Sequence, residues 1–409
     1  MQIVSLNYPI NMRIFKSFLG FLLITMLCFS CNTEEQKSIE ITIKNNLDFD
    51  RSFETIEIST SELKSLQTEN FKVIDAETNE ELISQTVDYD QDGTHEVLLF
   101  QPEISSESQK KIKILAKHSE AKSDSTLMRC YSRFVPERTD DYAWENNRIA
   151  FRTYGPTAQK MKEDGVKGGT LSSGMDAWLK RVDYPIINKW YEKHTSGKGS
   201  YHEDTGEGLD NFHVGVSRGV GGTAVKVDSN YVVSKNFTSW ETVANGPIRT
   251  AFTLEYANWN AGENTVSETK FIALDYGQNL TRHIVELKNA STPSVGLTLH
   301  NKDGETTTNK EERWMSYWEP YFDSELGQGI VITEKNQLDG FDKYEVEAKD
   351  ESNLYVNLIN TENLIDYYAG FGWKKSGQFN SKEEWNNYLS RFSKCLDNPL
   401  EVTFNKTIK

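Results

Sequence analysis

The chain is short of cysteine, short of positive charge and without a long apolar run. It has four Cys in 409 residues. Cys28 and Cys31 sit in an apolar N-terminal stretch, and Cys130 and Cys395 lie far apart. That spacing excludes a disulfide-dense scaffold and a four-Cys zinc site. No His-Glu-x-x-His and no P-loop occurs, so metalloprotease and nucleotide-binding readings lack their motifs. Lys and Arg total 45 against 61 Asp and Glu, a net charge of −16. Phosphate contacts need clustered Lys and Arg, so nucleic acid is excluded as a partner. The same charge repels a long polyanion at distance, so an anionic substrate has to be short and met by a local basic pocket. The longest apolar run, Phe18 to Phe29, is too short to span a bilayer.

What is present is aromatic. Nine Trp, 18 Tyr and 20 Phe make up 11% of the chain. Such rings serve as platforms in sugar-binding clefts, and they also fill β-sandwich cores. Arg13 and Lys16 before the apolar run give the pattern of an export signal. It ends at Leu27-Cys28-Phe29-Ser30-Cys31, where a small residue before Cys resembles the relaxed lipobox of Bacteroidota lipoproteins. That resemblance implies a signal over 1–31, a lipidated Cys31, and a periplasmic or outer-membrane location held by the anchor alone. A plain cleaved secretory signal is the alternative. Cys130 and Cys395 are then the two mature cysteines, either bridged or two buried thiols.

Residues 38–117 read as a small N-terminal β domain. Ile39, Ile41 and Ile43 alternate with polar residues, as a half-buried strand requires. Phe71 to Ile74, Val97 to Phe100 and Ile112 to Leu115 are further strands. Polar residues 118–126 read as a linker. From 127 to 409 the chain is larger, with many strand patterns and few helices, which predicts a large antiparallel sandwich. Ser381 with Glu384 forms a capping box for one helix, and Pro185 opens a short one.

The densest polar constellation runs from Tyr201-His202-Glu203-Asp204 through Glu207 and Asp210 to His213. It continues into the glycine-rich Val214 to Thr223, which contains Arg218. Its glycines and lack of periodicity predict a loop, where catalytic groups often sit. A salt-bridged surface loop is the structural alternative. In Gly174 to Arg181, an extended strand places Asp176, Trp178 and Lys180 on one face, suited to a sugar ring and its carboxylate. In Trp144 to Tyr154, Arg148, Arg152 and Tyr154 share a face. Arg249 follows the Asn245-Gly246-Pro247 turn. Arg is the natural bidentate partner of a carboxylate, and it is as often a structural ion-pair member. Asp88-Tyr89-Asp90-Gln91-Asp92-Gly93 mimics the opening of a calcium loop, with Leu99 where a bidentate Glu belongs and Glu96 available instead. No metal ligand set is assigned elsewhere and no cofactor is required, with a divalent cation such as calcium the one candidate.

The blocks Trp144 to Pro156, Gly174 to Lys180, Tyr201 to Asp210 and Asn245 to Thr250 together resemble a family of Bacteroidota lipoproteins of unknown function, found in polysaccharide-utilisation loci. One branch of it resembles the ulvan oligosaccharide dehydratases of marine flavobacteria. The likeness runs from about Ile39 to the C-terminus. It implies a mainly β fold, with a small N-terminal β domain followed by a galactose-mutarotase-like β-supersandwich. The implied reaction is loss of water from a non-reducing-end uronic acid (glucuronic or iduronic), leaving a 4,5-unsaturated sugar. That chemistry needs a base for the C5 proton, a counter-charge for the carboxylate and an acid for the 4-hydroxyl. His202 is the expected base or acid, with Tyr201 or His213 as partner. Arg152, Arg218 and Arg249 are the expected clamp, with Lys180 near the carboxylate, Trp178 stacking on the ring, and Glu207 and Asp210 orienting His202 or binding hydroxyls. A β-eliminating polysaccharide lyase and a non-catalytic glycan-binding lipoprotein are the other readings.

Overall fold

The computed structural model describes residues 37–117, 128–359 and 362–405. The expected signal segment with Cys31 and the expected linker 118–126 lie outside these residues. Among the described residues, no helix is long and apolar enough to cross a membrane.

The alternating pattern near the N-terminus behaves as hydrophobic burial dictates. In strand Ser38–Lys44, Ile39, Ile41 and Ile43 are buried and the residues between them are not. This strand pairs with Gln109–Ala116, which pairs in turn with Phe71–Asp75. A second, three-stranded sheet of Ile56–Ser59, Ser84–Val87 and Val97–Phe100 contributes Ile58, Leu98 and Phe100 to the same core. The C-terminal strand Glu401–Phe404 pairs with the other edge of Ser38–Lys44, so the end of the chain completes the first sheet.

The larger part is an antiparallel sandwich, and the chain is mainly β as expected. One of its sheets has nine strands, with Phe237–Ala244 and Glu305–Asn309 at its edges. The facing sheet has five: Asn230–Val232, Val220–Val227, Pro293–Thr298, Asn353–Ile359 and Gln337–Tyr344. Phe252, Ile272, Val285, Ile330 and Phe371 from the first meet Val225, Val295, Leu297 and Val356 from the second in one core. The edge strands Phe237–Ala244 and Gln337–Tyr344 are half exposed and give only a weak sequence signal. Trp314–Tyr321 is buried on both faces apart from Pro320, so it lacks the alternation that marks a strand.

A third sheet carries a face of buried charged residues. Its order is Gly208–Leu209, Asp176–Lys180, Ala150–Tyr154, Asp141–Glu145 and Tyr131–Val135. Successive side chains point to opposite faces. Tyr142, Trp144, Phe151, Ala177 and Leu179 join the sandwich core. The opposite face holds Ala143, Ala150 and Trp178, together with Asp141, Glu145, Arg152, Asp176 and Lys180. A helix seals much of that face: α2 (Ile187–Thr195) lays Ile187, Trp190 and Tyr191 against Trp178. It follows α1 (Pro156–Glu163), whose first-turn amides of Thr157 and Ala158 are accepted by the Asp140 carboxylate. The third helix, α3 (Lys382–Asp397), starts where the capping box places it, with Ser381 Oγ accepting from Glu384 N at 3.3 Å. Cys130 and Cys395 are free thiols, not a bridge.

Ser381→Ala removes the acceptor for one otherwise unpaired amide at the start of α3. We expect a loss of about 1 kcal/mol in urea unfolding, with an unchanged m-value.

Candidate active site

Arg152 sits on the charged face of the third sheet with its guanidinium among three carboxylates. Its Nε donates to Asp176 Oδ2 at 2.8 Å, one terminal nitrogen donates to Asp210 Oδ2 at 2.8 Å, and the other lies 3.5 Å from Asp141 Oδ2. Sheet register accounts for two of these neighbours. Arg152 is paired with Asp176 across one strand, and Asp141 lies on the adjacent strand opposite Tyr154. Asp210 arrives from the loop that ends the sheet. Tyr154 Oη donates to Asp176 Oδ2 at 2.6 Å and Tyr191 Oη to Asp141 Oδ2 at 2.9 Å.

Arg152, even with Arg138 acting from farther off, does not fully offset the burial of these carboxylates. Burial, followed by incomplete compensation from Arg152 and repulsion from Asp176 and Asp141, pushes the Asp210 carboxyl up to about 8. Burial likewise raises Asp141 to about 6, against the pull of Arg152 and Arg138. Burial also holds the Tyr154 phenol well above its ordinary range. Burial thus biases the Asp210 and Asp141 carboxyls toward their protonated forms, within a set of carboxylates that titrate together.

Above this cluster opens a cleft of about 570 Å³, lined by Arg152, Tyr154, Asp176, His202, Asp210, Phe212, His213 and Asp350, with Lys162 and Lys349 at its rim. The loop that builds its wall is held by glycine where backbones meet. A Cβ on Gly208, at φ +107°, would fall 2.0 Å from the Leu179 carbonyl oxygen. His202 Nδ1 lies 2.6 Å from the carbonyl oxygen of Asp210 and 3.6 Å from its Oδ2. A carbonyl can only accept, so Nδ1 carries the hydrogen, and in the neutral ring the lone pair is on Nε2. His213 Nε2 lies 2.9 Å from Asp350 Oδ2. Lys162 and Lys349 have no ion-pair partner among the described residues, and no other cation lining the cleft is free of carboxylates.

The structure thus brings together His202, His213, Asp210 and Arg152, and separates the rest of the expected set. Tyr201 adjoins His202, but it is buried and its hydroxyl accepts from Arg152 and Arg138 instead of reaching the cleft. Arg152 lines the cleft, yet its donors are taken by carboxylates, so it cannot act as a substrate clamp. Arg218 is fully buried in the sandwich, donating to Ser173 Oγ and to the carbonyls of Thr223 and Val216. Arg249 grips Asp275 with two nitrogens and also donates to Glu57 and Tyr89, tying the small sheet to the sandwich. Lys180 is buried on Glu145 and two carbonyls. Trp178 offers no platform, because Trp190, Tyr191 and Tyr201 cover it. Glu207 accepts from Lys189, Tyr184 and Trp190, apart from the cleft lining.

Residues missed in the sequence are Tyr154, Asp141, Lys162, Lys349 and Asp350. Tyr154 stood beside Arg152 in a noted block. Lys162 and Lys349 lie in unremarkable polar stretches, and only folding brings them to one rim. Gly215-Val216-Ser217-Arg218-Gly219 also has the spacing of a hydrolase nucleophile elbow. Ser217 is fully buried, however, and its hydroxyl is shared with the Val214 carbonyl and Thr298, so it offers no nucleophile.

A larger cavity of about 800 Å³ lies between the small sheet, the sandwich and α3. Three of its five arginines are neutralised: Arg51 by Glu54, Arg249 by Asp275 and Glu57, Arg282 by Asp366. No histidine lines it, in contrast to the smaller cleft. In the first domain, carboxylate oxygens of Asp88, Asp90, Asp92 and Glu96 lie within 4.8 Å of one another. An all-oxygen set suits a hard cation. The Asp88, Asp90 and Asp92 side chains also accept the loop's own amides, those of Gly93, Asp92 and Thr94.

Fold and site together define an antiparallel β-sandwich protein with a cleft of histidines and buried carboxylates on a third sheet. Residues 43–402 match the family described as a domain of unknown function (DUF4861), and the chain belongs to that family. It is similar to "Uncharacterized protein P7" of Formosa agariphila, 53% identical over 390 residues, covering 94% of this chain and 98% of that one. Among solved structures it resembles a protein in glycosyl hydrolase family 38 from Enterococcus faecalis, with a TM-score of 0.51 and 12% identity over 95% of this chain. An α-mannosidase from Enterococcus faecalis V583 also aligns, with a TM-score of 0.46 and 12% identity. The chain spans about half the length of these two hydrolases, so the likeness concerns fold alone.

Asp210 provides a pH test. Its folded pKa lies above the unfolded value of about 3.9, so its contribution to stability is full below pH about 4 and is lost as pH rises through about 8. We expect unfolding free energy to fall across that window and Asp210→Asn to flatten the fall. A flat wild-type profile would mean that no proton is held. Lys180→Ala leaves Glu145 buried without its cation, and chemical denaturation should register a loss of about 3–5 kcal/mol.

Proposed function

We propose that the protein is a carbohydrate dehydratase removing water from a non-reducing-end uronic acid of ulvan-type oligosaccharides, exported and anchored through a lipid on Cys31. The observation that carries this reading is the meeting in one cleft of an imidazole and a buried carboxyl that burial pushes toward its protonated form, with His202 Nδ1 3.6 Å from Asp210 Oδ2.

In this reading the substrate carboxylate faces Lys162 and Lys349, the rim cations left without partners. His202 Nε2 takes the C5 proton, and the electron pair moves to form the C4=C5 double bond. The C4–O bond breaks, and the hydroxyl leaves as water with a proton from Asp210. Tyr154, a phenol throughout, binds a sugar hydroxyl beside Asp176. Arg152 holds the three carboxylates in place, so its role is positioning. No step needs a cofactor, and the Asp88–Glu96 loop lies outside the reaction.

Base and acid share one wall of the cleft, so proton and hydroxyl leave from one face of the ring. D-Glucuronate has H5 and the 4-hydroxyl on the same face, whereas L-iduronate has them on opposite faces. The net charge of −16 favours short substrates over the polymer grip of an endo-acting lyase.

Incubation with glucuronate-ended ulvan oligosaccharides should raise absorbance near 235 nm, and mass spectrometry should show the loss of one water from an intact chain. Chain cleavage would move the assignment to a lyase, and no change would leave a glycan-binding protein. His202→Ala should lower kcat by roughly 10²–10⁴. Iduronate-ended substrates should react more slowly than glucuronate-ended ones, and the reverse order would refute the shared-wall assignment.

A further inference from the structure

Phe322 is 77% exposed, well beyond any other large hydrophobic side chain described. It is also the first central residue of the two-residue turn joining strands Trp314–Tyr321 and Ser324–Ile332, with φ +51°. A positive φ in such a turn is ordinarily left to glycine or asparagine, because a Cβ there crowds the backbone. A bulky aromatic in this place is unfavourable twice over, in backbone strain and in apolar surface given to water. Neither is offset by packing, since its one ring neighbour is Tyr321, at 5.0 Å between centroids.

The turn is fastened to the cleft. Tyr321 Oη donates to the Asn211 carbonyl at 2.7 Å, and its ring lies 6.3 Å from Phe212, both residues of the cleft wall. On the other side, Lys375 bridges Asp323 at 2.6 Å and Asp204 at 3.7 Å, joining the turn to the loop that carries His202. The residues flanking the tip are thus tied to segments that line the cleft and to the loop that carries His202.

We infer that Phe322 is a stacking platform for the second sugar ring of an oligosaccharide whose terminal ring occupies the cleft. The apolar C–H face of a pyranose covers an aromatic ring, and sugar hydroxyls stay in water. The inference rests on the dehydratase reading for the identity of the terminal ring, but the platform acts through binding alone. It makes Phe322 a specificity residue that distinguishes chain lengths and leaves the reacting atoms untouched.

Phe322→Gly suits the turn, so the variant should fold with an unchanged or higher melting temperature. With it, KM for ulvan tri- and tetrasaccharides should rise about threefold to tenfold at constant kcat, the range of one aromatic stacking contact. Phe322→Trp should restore the lower KM. Calorimetric titration of the tetrasaccharide gives a readout independent of turnover. Turnover with no change in KM or affinity on Phe322→Gly overturns the platform and leaves the dehydratase reading intact. Tetrasaccharide binding without turnover, weakened in Phe322→Gly, supports the platform and removes the elimination. Absence of both binding and turnover overturns both.

Discussion

The buried guanidinium of Arg152 is the interaction on which the site depends. Three carboxylates converge on it from two sheet strands and one loop. Without that cation, Asp141, Asp176 and Asp210 would repel one another in a place where water cannot screen them. With it, and with Arg138 acting from farther off, the carboxylates are only partly compensated, and burial pushes Asp210 and Asp141 toward their protonated forms. Holding a loop onto a sheet thereby places a raised carboxyl beside a histidine.

The wider fold sets up that arrangement. The inner face of the third sheet is joined to the sandwich core through Trp144 against Phe252 and Phe151 against Phe371, each pair with ring centroids 5.2 Å apart. The outer face is sealed by α2, whose first amides, with that of Ile186, fall on the Glu145 carboxylate at 2.9 Å. Glu145 in turn holds Lys180. Charge along this face is thus paired at one end, by Lys180 and Glu145, and left incompletely paired at the other, around Arg152. The cleft opens over the incompletely paired end.

Much of the fold was legible in the residues. Strict alternation at Ile39, Ile41 and Ile43 signals a strand because one face must avoid water. The Ser381 and Glu384 pair signals a helix start because free amides need acceptors. Trp314–Tyr321 escaped notice because burial on both faces erases alternation. The site was legible in its loop, where His202, Asp210 and His213 stand close in sequence, and illegible in its cations. Arg218 and Arg249 look like anion clamps by type. Each is consumed by partners hundreds or tens of positions away, Glu57 for Arg249 and Ser173 for Arg218.

By itself the sequence determined the mainly β class, the start of the last helix at Ser381 and the loop that bears the histidines. Those properties follow from local periodicity and local hydrogen-bonding needs, which a short stretch of chain already contains. Tertiary structure decided which charges are free. An Arg in a strand offers the same donors in any sequence, and only the long-range neighbours determine whether they meet a carboxylate, a carbonyl or water. It also decided that the Asp210 carboxyl is pushed upward, because that depends on burial and on two other carboxylates brought near by sheet register. Electrostatic energy in a low-dielectric interior varies with distance in space, and distance along the chain does not encode it.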